Sequence, residues 1–396
     1  MVDCTDMELI PYGRQSISQD DIDAVVEVLK SDFLTQGPAV PAFEAAVASY
    51  CSAEYAVAVN SATSALHIAC LALGVTQGDL VWTSPITFVA SANCVLYCGA
   101  DIDFVDIDPL TYNISIDCLR SKLESAKKLG RLPKVVIPVH MSGQSCRMAE
   151  IHELSKLYGF RVIEDASHGI GSSYKNERVG NCHFSDITVF SFHPVKIITT
   201  GEGGMVMTND PLLAKRLRLY RSHGITSLQV DMKPRPPHEL WNYQQIELGF
   251  NYRMTDIQAA LGLSQLKKLD DFVQRRHQIA AQYDQLLSGL PLLIPHQDGD
   301  AISSYHLYIV RMNLSSTQKT NKQVFQSMQA QGIMVNFHYI PVYLQPFYEE
   351  LGFQKGYCPE AERYFMDAIS IPMYPTLSKE NQALVVGVLE NSLNGK

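Results

Sequence analysis

Tyr55-Ala56-Val57-Ala58-Val59-Asn60-Ser61-Ala62-Thr63-Ser64-Ala65-Leu66 contains the change of period that decides the fold. Its first five residues form a short apolar run closed by polar ones, the signature of a buried strand. Beyond Asn60-Ser61, the residues Ala62, Leu66, Ala69, Cys70 and Leu73 recur at helical spacing. A strand that passes through a tight polar turn into a helix is the first half of a βαβ unit.

The same alternation continues along the chain. Apolar runs at 80–83, 102–105, 135–139, 161–163, 187–192 and 204–207 are separated by helical patterns. This predicts an α/β fold with a mostly parallel sheet covered by helices on both faces. Upstream, Ser18-Gln19-Asp20-Asp21 reads as a capping box with Asp in place of Glu, opening a helix through Ala24, Val25, Val28 and Leu29; a second helix is expected after Pro41.

Downstream, the polar stretch 226–249, with Pro234, Pro236 and Pro237, predicts a long exposed loop. From Thr255 to about Leu287 helical residues dominate, with Ile257, Leu261, Leu266, Leu269, Phe272 and Val273 expected on one buried stripe. Strand signals at 306–310 and 334–338 around a helical run at 324–328 predict a smaller α+β domain. The expected division is a large domain over 1–254, a connecting helix over 255–289 and a small C-terminal domain over 290–396.

Composition narrows the function classes. Of 396 residues, 46% are apolar and 18% charged, so a large part of the chain is expected to be buried. Lys plus Arg is 32 against 41 Asp plus Glu, a net charge of −9 that disfavours nucleic-acid binding. Three stretches, 55–78, 80–100 and 323–348, lack charge, but each holds Ser, Thr, Asn, Gln or Pro and reads as core, not membrane span. Asp3, Asp6 and Glu8, with no basic region ahead of an apolar segment, do not read as a signal peptide, and a cytoplasmic protein is expected. The nine cysteines are scattered without CxxC pairs, so free thiols and no metal site are expected.

Three elements carry chemistry. Ser191-Phe192-His193-Pro194-Val195-Lys196 follows a buried strand and precedes a Gly-rich turn, where a desolvated lysine amine can serve as a nucleophile. Glu164-Asp165-Ala166-Ser167-His168 follows another strand, and a carboxylate at that edge can pair with a protonated pyridine nitrogen. Ser61-Ala62-Thr63 opens a helix whose unpaired N–H groups suit a phosphate. Taken singly, each has a plain alternative: a surface lysine, a helix-capping Asp with a core histidine, and an ordinary N-cap. Together they meet the three needs of pyridoxal phosphate, whose aldehyde takes a lysine, ring nitrogen an acid and phosphate a helix N-terminus.

These segments, with Leu34-Thr35-Gln36-Gly37-Pro38 and Gly249-Phe250-Asn251-Tyr252-Arg253-Met254-Thr255-Asp256, resemble the sugar aminotransferase family of pyridoxal-phosphate enzymes with the type I aspartate aminotransferase fold. The resemblance implies that Lys196 bonds the cofactor aldehyde, Asp165 binds the ring nitrogen, His168 contacts the ring hydroxyl and Phe88 stacks on the ring. It implies Ala62, Thr63 and Ser191 at the phosphate, and Asn251 supplied by the neighbouring subunit of a homodimer with shared sites.

A closer resemblance is to aminotransferases of the pseudaminic acid pathway, carried by Arg221-Ser222-His223-Gly224 and Val335-Asn336-Phe337-His338-Tyr339-Ile340-Pro341 besides the stretches above. It implies glutamate as amino donor and UDP-2-acetamido-2,6-dideoxy-β-L-arabino-hexos-4-ulose as acceptor. Tyr12, Asp32, Phe33, Leu34, Thr35, Asn336, Phe337, His338 and Tyr339 would then contact the nucleotide sugar. Rival readings are a different nucleotide-linked keto sugar, a related dehydratase and a noncatalytic scaffold. Lys196 argues against the dehydratase, whose family branch typically has His at that position.

Overall fold

The computed structural model describes residues 9–236, 238–316 and 319–394. Asp3, Cys4, Asp6, Glu8 and Pro237 lie outside the described residues.

The central sheet has seven strands: β1 (Tyr55–Val59), β2 (Leu80–Thr83), β3 (Asp101–Phe104), β4 (Val135–Ile137), β5 (Arg161–Asp165), β6 (Ile187–Ser191) and β7 (Gly204–Thr208). Their spatial order is β1-β7-β6-β5-β4-β2-β3. β7 is antiparallel to both β1 and β6, and the other neighbours are parallel. Every strand except β7 therefore presents its carboxyl end along one edge, where such sheets bind ligands. The strand from Arg161 runs past Ile163 to Asp165, whereas that from Val135 stops at Ile137. Val139 keeps only an isolated bridge to Asp165.

Both faces of the sheet are covered, as the alternation along a strand requires. Val57 and Val59 of β1 join one core cluster, which holds Leu66 and Ala69, while Ala56 and Ala58 join another with Phe43 and Val47. The helices over this part are α1 (Gln19–Lys30), α2 (Ala39–Cys51), α3 (Ala62–Ala72), α4 (Ala90–Tyr97), α5 (Ile116–Lys128), α6 (Met148–Tyr158) and α7 (Pro211–Arg221). The box that opens α1 forms, with the Ser18 N–H donating to Asp21 at 2.8 Å.

α2 starts at Ala39, ahead of Pro41 where it was expected. Its cap comes from far along the chain: the Asp256 carboxylate accepts from Gly37 N–H at 3.1 Å and Ala39 N–H at 3.0 Å. The helical segment after Thr255 is also two helices, α8 (Asp256–Leu266) and α9 (Leu269–Leu286). The buried side of α8 is made of small and polar residues such as Ala259, Ala260 and Gly262, while Ile257, Leu261 and Leu266 are half-buried. Close packing is the reason, since a Cβ on Gly262 would lie 2.6 Å from Phe43 and Thr200.

A second, antiparallel sheet is built from β8 (Leu292–Leu293), β9 (Tyr308–Met312) and β10 (Ala368–Ile371) in that order. α9, α10 (Asn321–Ala330) and α12 (Lys379–Asn394) pack on it through Tyr283, Val324, Met328 and Leu389; α11 (Pro359–Asp367) leads into β10. No strand forms at 334–338. Asn336 makes a single bridge to Ser370, and its side chain takes the next N–H, that of Phe337, at 2.8 Å, so the ladder does not propagate. The 226–249 loop is closed by a two-residue ladder between Ile225–Thr226 and Gln244–Gln245, and Leu240 on it is fully exposed. Among the described residues no helix is long and apolar enough to cross a membrane, and every cysteine is a free thiol.

Candidate active site

The carboxyl edge of the sheet opens into a cleft of about 600 Å³. β6 ends there at Ser191, and the chain doubles back to place Lys196 in the cleft. The turn is pinned by the Lys196 N–H on His193 O at 2.9 Å, the Thr200 N–H on Phe192 O at 3.1 Å and the Thr199 hydroxyl on that same carbonyl at 2.9 Å. Lys196 is partly exposed as a residue, but its amine is enclosed by protein. Desolvation brings its pKa from 10.5 down to about 8, against an opposite pull from Asp165. A neutral amine is thus accessible near neutral pH, which a nucleophile or base requires.

Asp165, at the end of β5, is 3% exposed and held at both oxygens. Ser91 of α4 donates to Oδ2 at 2.6 Å, and Ser167 donates its N–H and hydroxyl to Oδ1 at 3.1 and 2.6 Å. At the start of α3, the Ser61 hydroxyl accepts the Ser64 N–H at 3.1 Å, and Ala62 and Thr63 precede the first intrahelical bonds. β7 passes directly under this turn: a Cβ on Gly204 would lie 2.7 Å from the Ala62 nitrogen and from Ser61 backbone atoms. Only a hydrogen fits there.

The opposite wall carries Tyr12, Asn336, Phe337, His338 and Tyr339. His338 is fixed by Ser370 at 2.8 Å on Nδ1 and by Asn336 at 3.3 Å on Nε2, with the Tyr12 ring 5.4 Å away. Tyr339 places its hydroxyl 3.2 Å from His168 Nε2, and Phe88 stands at the rim with its ring 6.4 Å from that of Tyr339. His168 and His306 have pKa values well below 6.5 and His338 one of about 3, through burial first; the charge of Lys196 comes next for His168 and His338, and for His306 it follows the neighbouring His168. The amine is thus surrounded by neutral imidazoles.

One cleft therefore unites Tyr12, Ala62, Thr63, Phe88, Asp165, His168, Ser191, Lys196, Asn336, Phe337, His338 and Tyr339. It does not include Asp32, Phe33, Leu34, Thr35 or Asn251, which are exposed. Asp32 to Thr35 hang beside the start of α8, where Leu34 O accepts the Asp256 N–H at 3.0 Å, and Asn251 bridges Ser222. Sequence reasoning missed Ser91 and His306. Ser91 lies inside an apolar helical run with no local signal, and His306 reads as the first residue of a strand signal.

Residues 15–390 match the DegT/DnrJ/EryC1/StrS aminotransferase family. The chain belongs to this family. A UDP-4-amino-4,6-dideoxy-N-acetyl-beta-L-altrosamine transaminase of Campylobacter jejuni is 37% identical over 383 residues, 96% of this chain and 96% of its own. Among solved structures, Helicobacter pylori PseC, an aminotransferase involved in the biosynthesis of pseudoaminic acid, matches with a TM-score of 0.88 and 31% identity across 98% of this chain and 100% of its own. The PLP form of Streptococcus pneumoniae Spr1654 matches at 0.86 and 28%, covering 98% and 99%. This member of the DegT/DnrJ/EryC1/StrS family is a pyridoxal-phosphate-dependent aminotransferase.

The residues present fit that cofactor. The cleft offers an enclosed amine with a lowered pKa, a doubly anchored carboxylate and a helix N-terminus kept open by Gly204. His168 Nδ1 is in addition buried without a hydrogen-bond partner, on a ring that lines the same space.

Proposed function

We propose that this aminotransferase moves an amino group from glutamate to C4 of a UDP-linked 4-keto-6-deoxy-N-acetylhexosamine, the β-L-arabino sugar of the pseudaminic acid route. The product would be UDP-4-amino-4,6-dideoxy-N-acetyl-β-L-altrosamine. The observation that carries the reading is the meeting of Lys196, Asp165 and the α3 N-terminus in one cleft whose far wall is polar and aromatic. Similarity to the altrosamine transaminase supports the choice of sugar.

Bound pyridoxal phosphate supplies an aldehyde that takes up the amino group and a ring that stores the electron pair released at the reacting carbon. Lys196 would hold the cofactor aldehyde, and its Nζ, when free and neutral, would carry the donor α-proton to the aldehyde-derived carbon of the cofactor and, in the second half-reaction, a proton from that carbon to C4 of the sugar. Asp165, held by Ser91 and Ser167, would orient the ring nitrogen; His168 would meet the ring hydroxyl; Phe88 would cover the ring; Ala62, Thr63 and Ser191 would hold the phosphate. Tyr12 and Asn336 to Tyr339 receive the sugar nucleotide, whose uncharged edges suit a wall of hydroxyl, amide and imidazole groups.

Asp32 to Thr35 and Asn251 stand outside the chain's own cleft and in the open. A homodimer, with each subunit lending these residues to its partner's site, accounts for that placement. The exposed Leu240, Leu248, Trp241 and Phe33 would then be covered. We divide each chain into a cofactor-binding part (1–254), a connecting segment (255–289) and a small domain (290–396).

The test is product formation with glutamate and the L-arabino sugar, with the D-xylo epimer in parallel and products identified by NMR. Preferential C4 amination of the L-arabino sugar supports the assignment. Preference for the epimer would move it to another nucleotide sugar. Mixing Lys196→Ala and Asn251→Ala subunits should restore activity that neither variant has alone; no restoration would contradict shared sites.

A further inference from the structure

Behind His168 stands a second imidazole that the proposed chemistry leaves unused. His306 precedes β9, is 4% exposed, and its ring centroid lies 4.4 Å from that of His168 at an interplanar angle of 45°. The Nδ1 atoms of both rings are buried and without a hydrogen-bond partner. Such groups are rare because each forfeits the hydrogen bond it made with water.

The two rings are held together by their backbones. Arg276 of α9, fully buried, donates to the carbonyls of Tyr305, His306 and Met373 at 3.0, 3.2 and 3.1 Å. The His306 N–H donates to Ser142 O at 2.8 Å, and the Ser304 hydroxyl donates to His168 O at 2.7 Å. The 304–306 segment is therefore tied to the same backbone that carries His168.

Burial, with the charge of Lys196 close by, keeps both imidazoles neutral; the other titratable or charged groups acting on them are His338 and Arg276. A neutral imidazole has one donor and one acceptor nitrogen. Tyr339 is held protonated by burial, so its hydroxyl can donate to His168 Nε2 at 3.2 Å. With Tyr339 as the donor, the proton of His168 sits on Nδ1, which is buried without a partner, as is Nδ1 of the adjacent His306 ring.

We propose that His306 is a positioning residue that sets the tautomer of His168, its Nδ1 accepting, through one bridging water, the proton carried by His168 Nδ1. His168 then presents Nε2 as an acceptor in the cleft, with Nε2 fixed in place. The effect on the cofactor rests on the reading that His168 meets the ring hydroxyl; the tautomer does not.

Nitrogen-15 NMR of histidine-labelled protein, with and without pyridoxal phosphate, tests this, the His168 signals being assigned from a His168→Gln sample. The expected result is a protonated Nδ1 and a bare Nε2 in both states. In His306→Phe, which keeps a ring but loses both nitrogens, the tautomers should mix. The midpoint of the visible-absorbance pH titration of the loaded protein should move by about half a unit or more, and cofactor affinity should fall about three- to tenfold. His306→Gln, which retains an acceptor, should restore most of both.

A wild-type His168 protonated at Nε2 overturns the proposal without any variant. An unchanged tautomer in His306→Phe overturns it as well. If the tautomers mix but the titration midpoint stays, the tautomer assignment holds and it is the contact of His168 with the ring hydroxyl that fails.

Discussion

Lys196→Met should make the cofactor-free protein more stable while abolishing turnover. The enclosed amine has its pKa lowered from 10.5 to about 8, so folding disfavours the protonated form. Each pH unit is worth about 1.4 kcal/mol, which bounds the penalty at about 3.5 kcal/mol. Partial exposure of the side chain brings the expected gain on substitution to roughly 1–3 kcal/mol. The sign follows from proton counting. Below pH 8 the lysine is charged in both states and the full penalty applies. Between 8 and 10.5 the unfolded chain holds a proton that the native amine has lost, so wild-type stability rises with pH. Above 10.5 both are neutral and the difference between wild type and variant vanishes. Urea unfolding at fixed protein concentration, at pH 7 and again near pH 10, measures this. A Met variant no more stable than wild type at pH 7, or a gap that fails to narrow with rising pH, would refute the claim that the fold strains to keep this amine neutral.

The other predictions concern the parts around that lysine. Ser91→Ala removes the 2.6 Å donor to Asp165; a hydrogen bond to a charged group is worth about 1.5–3 kcal/mol, so cofactor affinity by equilibrium dialysis should weaken by about tenfold or more, and unchanged affinity would disconnect Ser91 from the site. Gly204→Ala forces a Cβ to 2.7 Å from the Ala62 nitrogen and should weaken pyridoxal phosphate binding far more than binding of pyridoxal, whereas equal losses would contradict a phosphate cradle at α3. The rate at which cofactor-free protein captures pyridoxal phosphate should climb with pH around 8, following the amine; a stopped-flow profile flat from pH 7 to 9.5 would exclude Lys196 as the capturing group. Asp256→Ala deprives Gly37 and Ala39 of their shared acceptor and should raise KM for the sugar nucleotide with little change in the amino-donor half-reaction, while an unaltered KM would separate the Asp32 to Thr35 loop from substrate.

Local pattern made most of the catalytic edge legible. The run Tyr55 to Val59 is buried from Ala56 onward and the helix after Ser61 over most of its length, so both are apolar and the polar turn between them stands out. Asp165 at the end of β5 and Lys196 just beyond β6 are legible for the same reason. Signals failed where partners are distant. Residues 334–338 look like a strand but have only a one-residue bridge to join. The leucines of α8 look like its core face, yet the tight contact with α2 needs Ala and Gly there instead.

From the sequence alone came the alternation of strand and helix, the mostly parallel sheet, and the lysine, acid and helix N-terminus at its carboxyl edge, because each is written in the spacing of neighbouring residues. Tertiary structure decided who touches whom. It put Ser91 on Asp165 across 74 residues and Asp256 on Ala39 across 217, set His306 against His168, and folded Asn336 to Tyr339 over the cleft. Periodicity reports which side of an element is buried, since burial repeats with the backbone's own geometry. A hydrogen-bond partner has no such period; it is fixed only when remote segments pack to within about 3 Å.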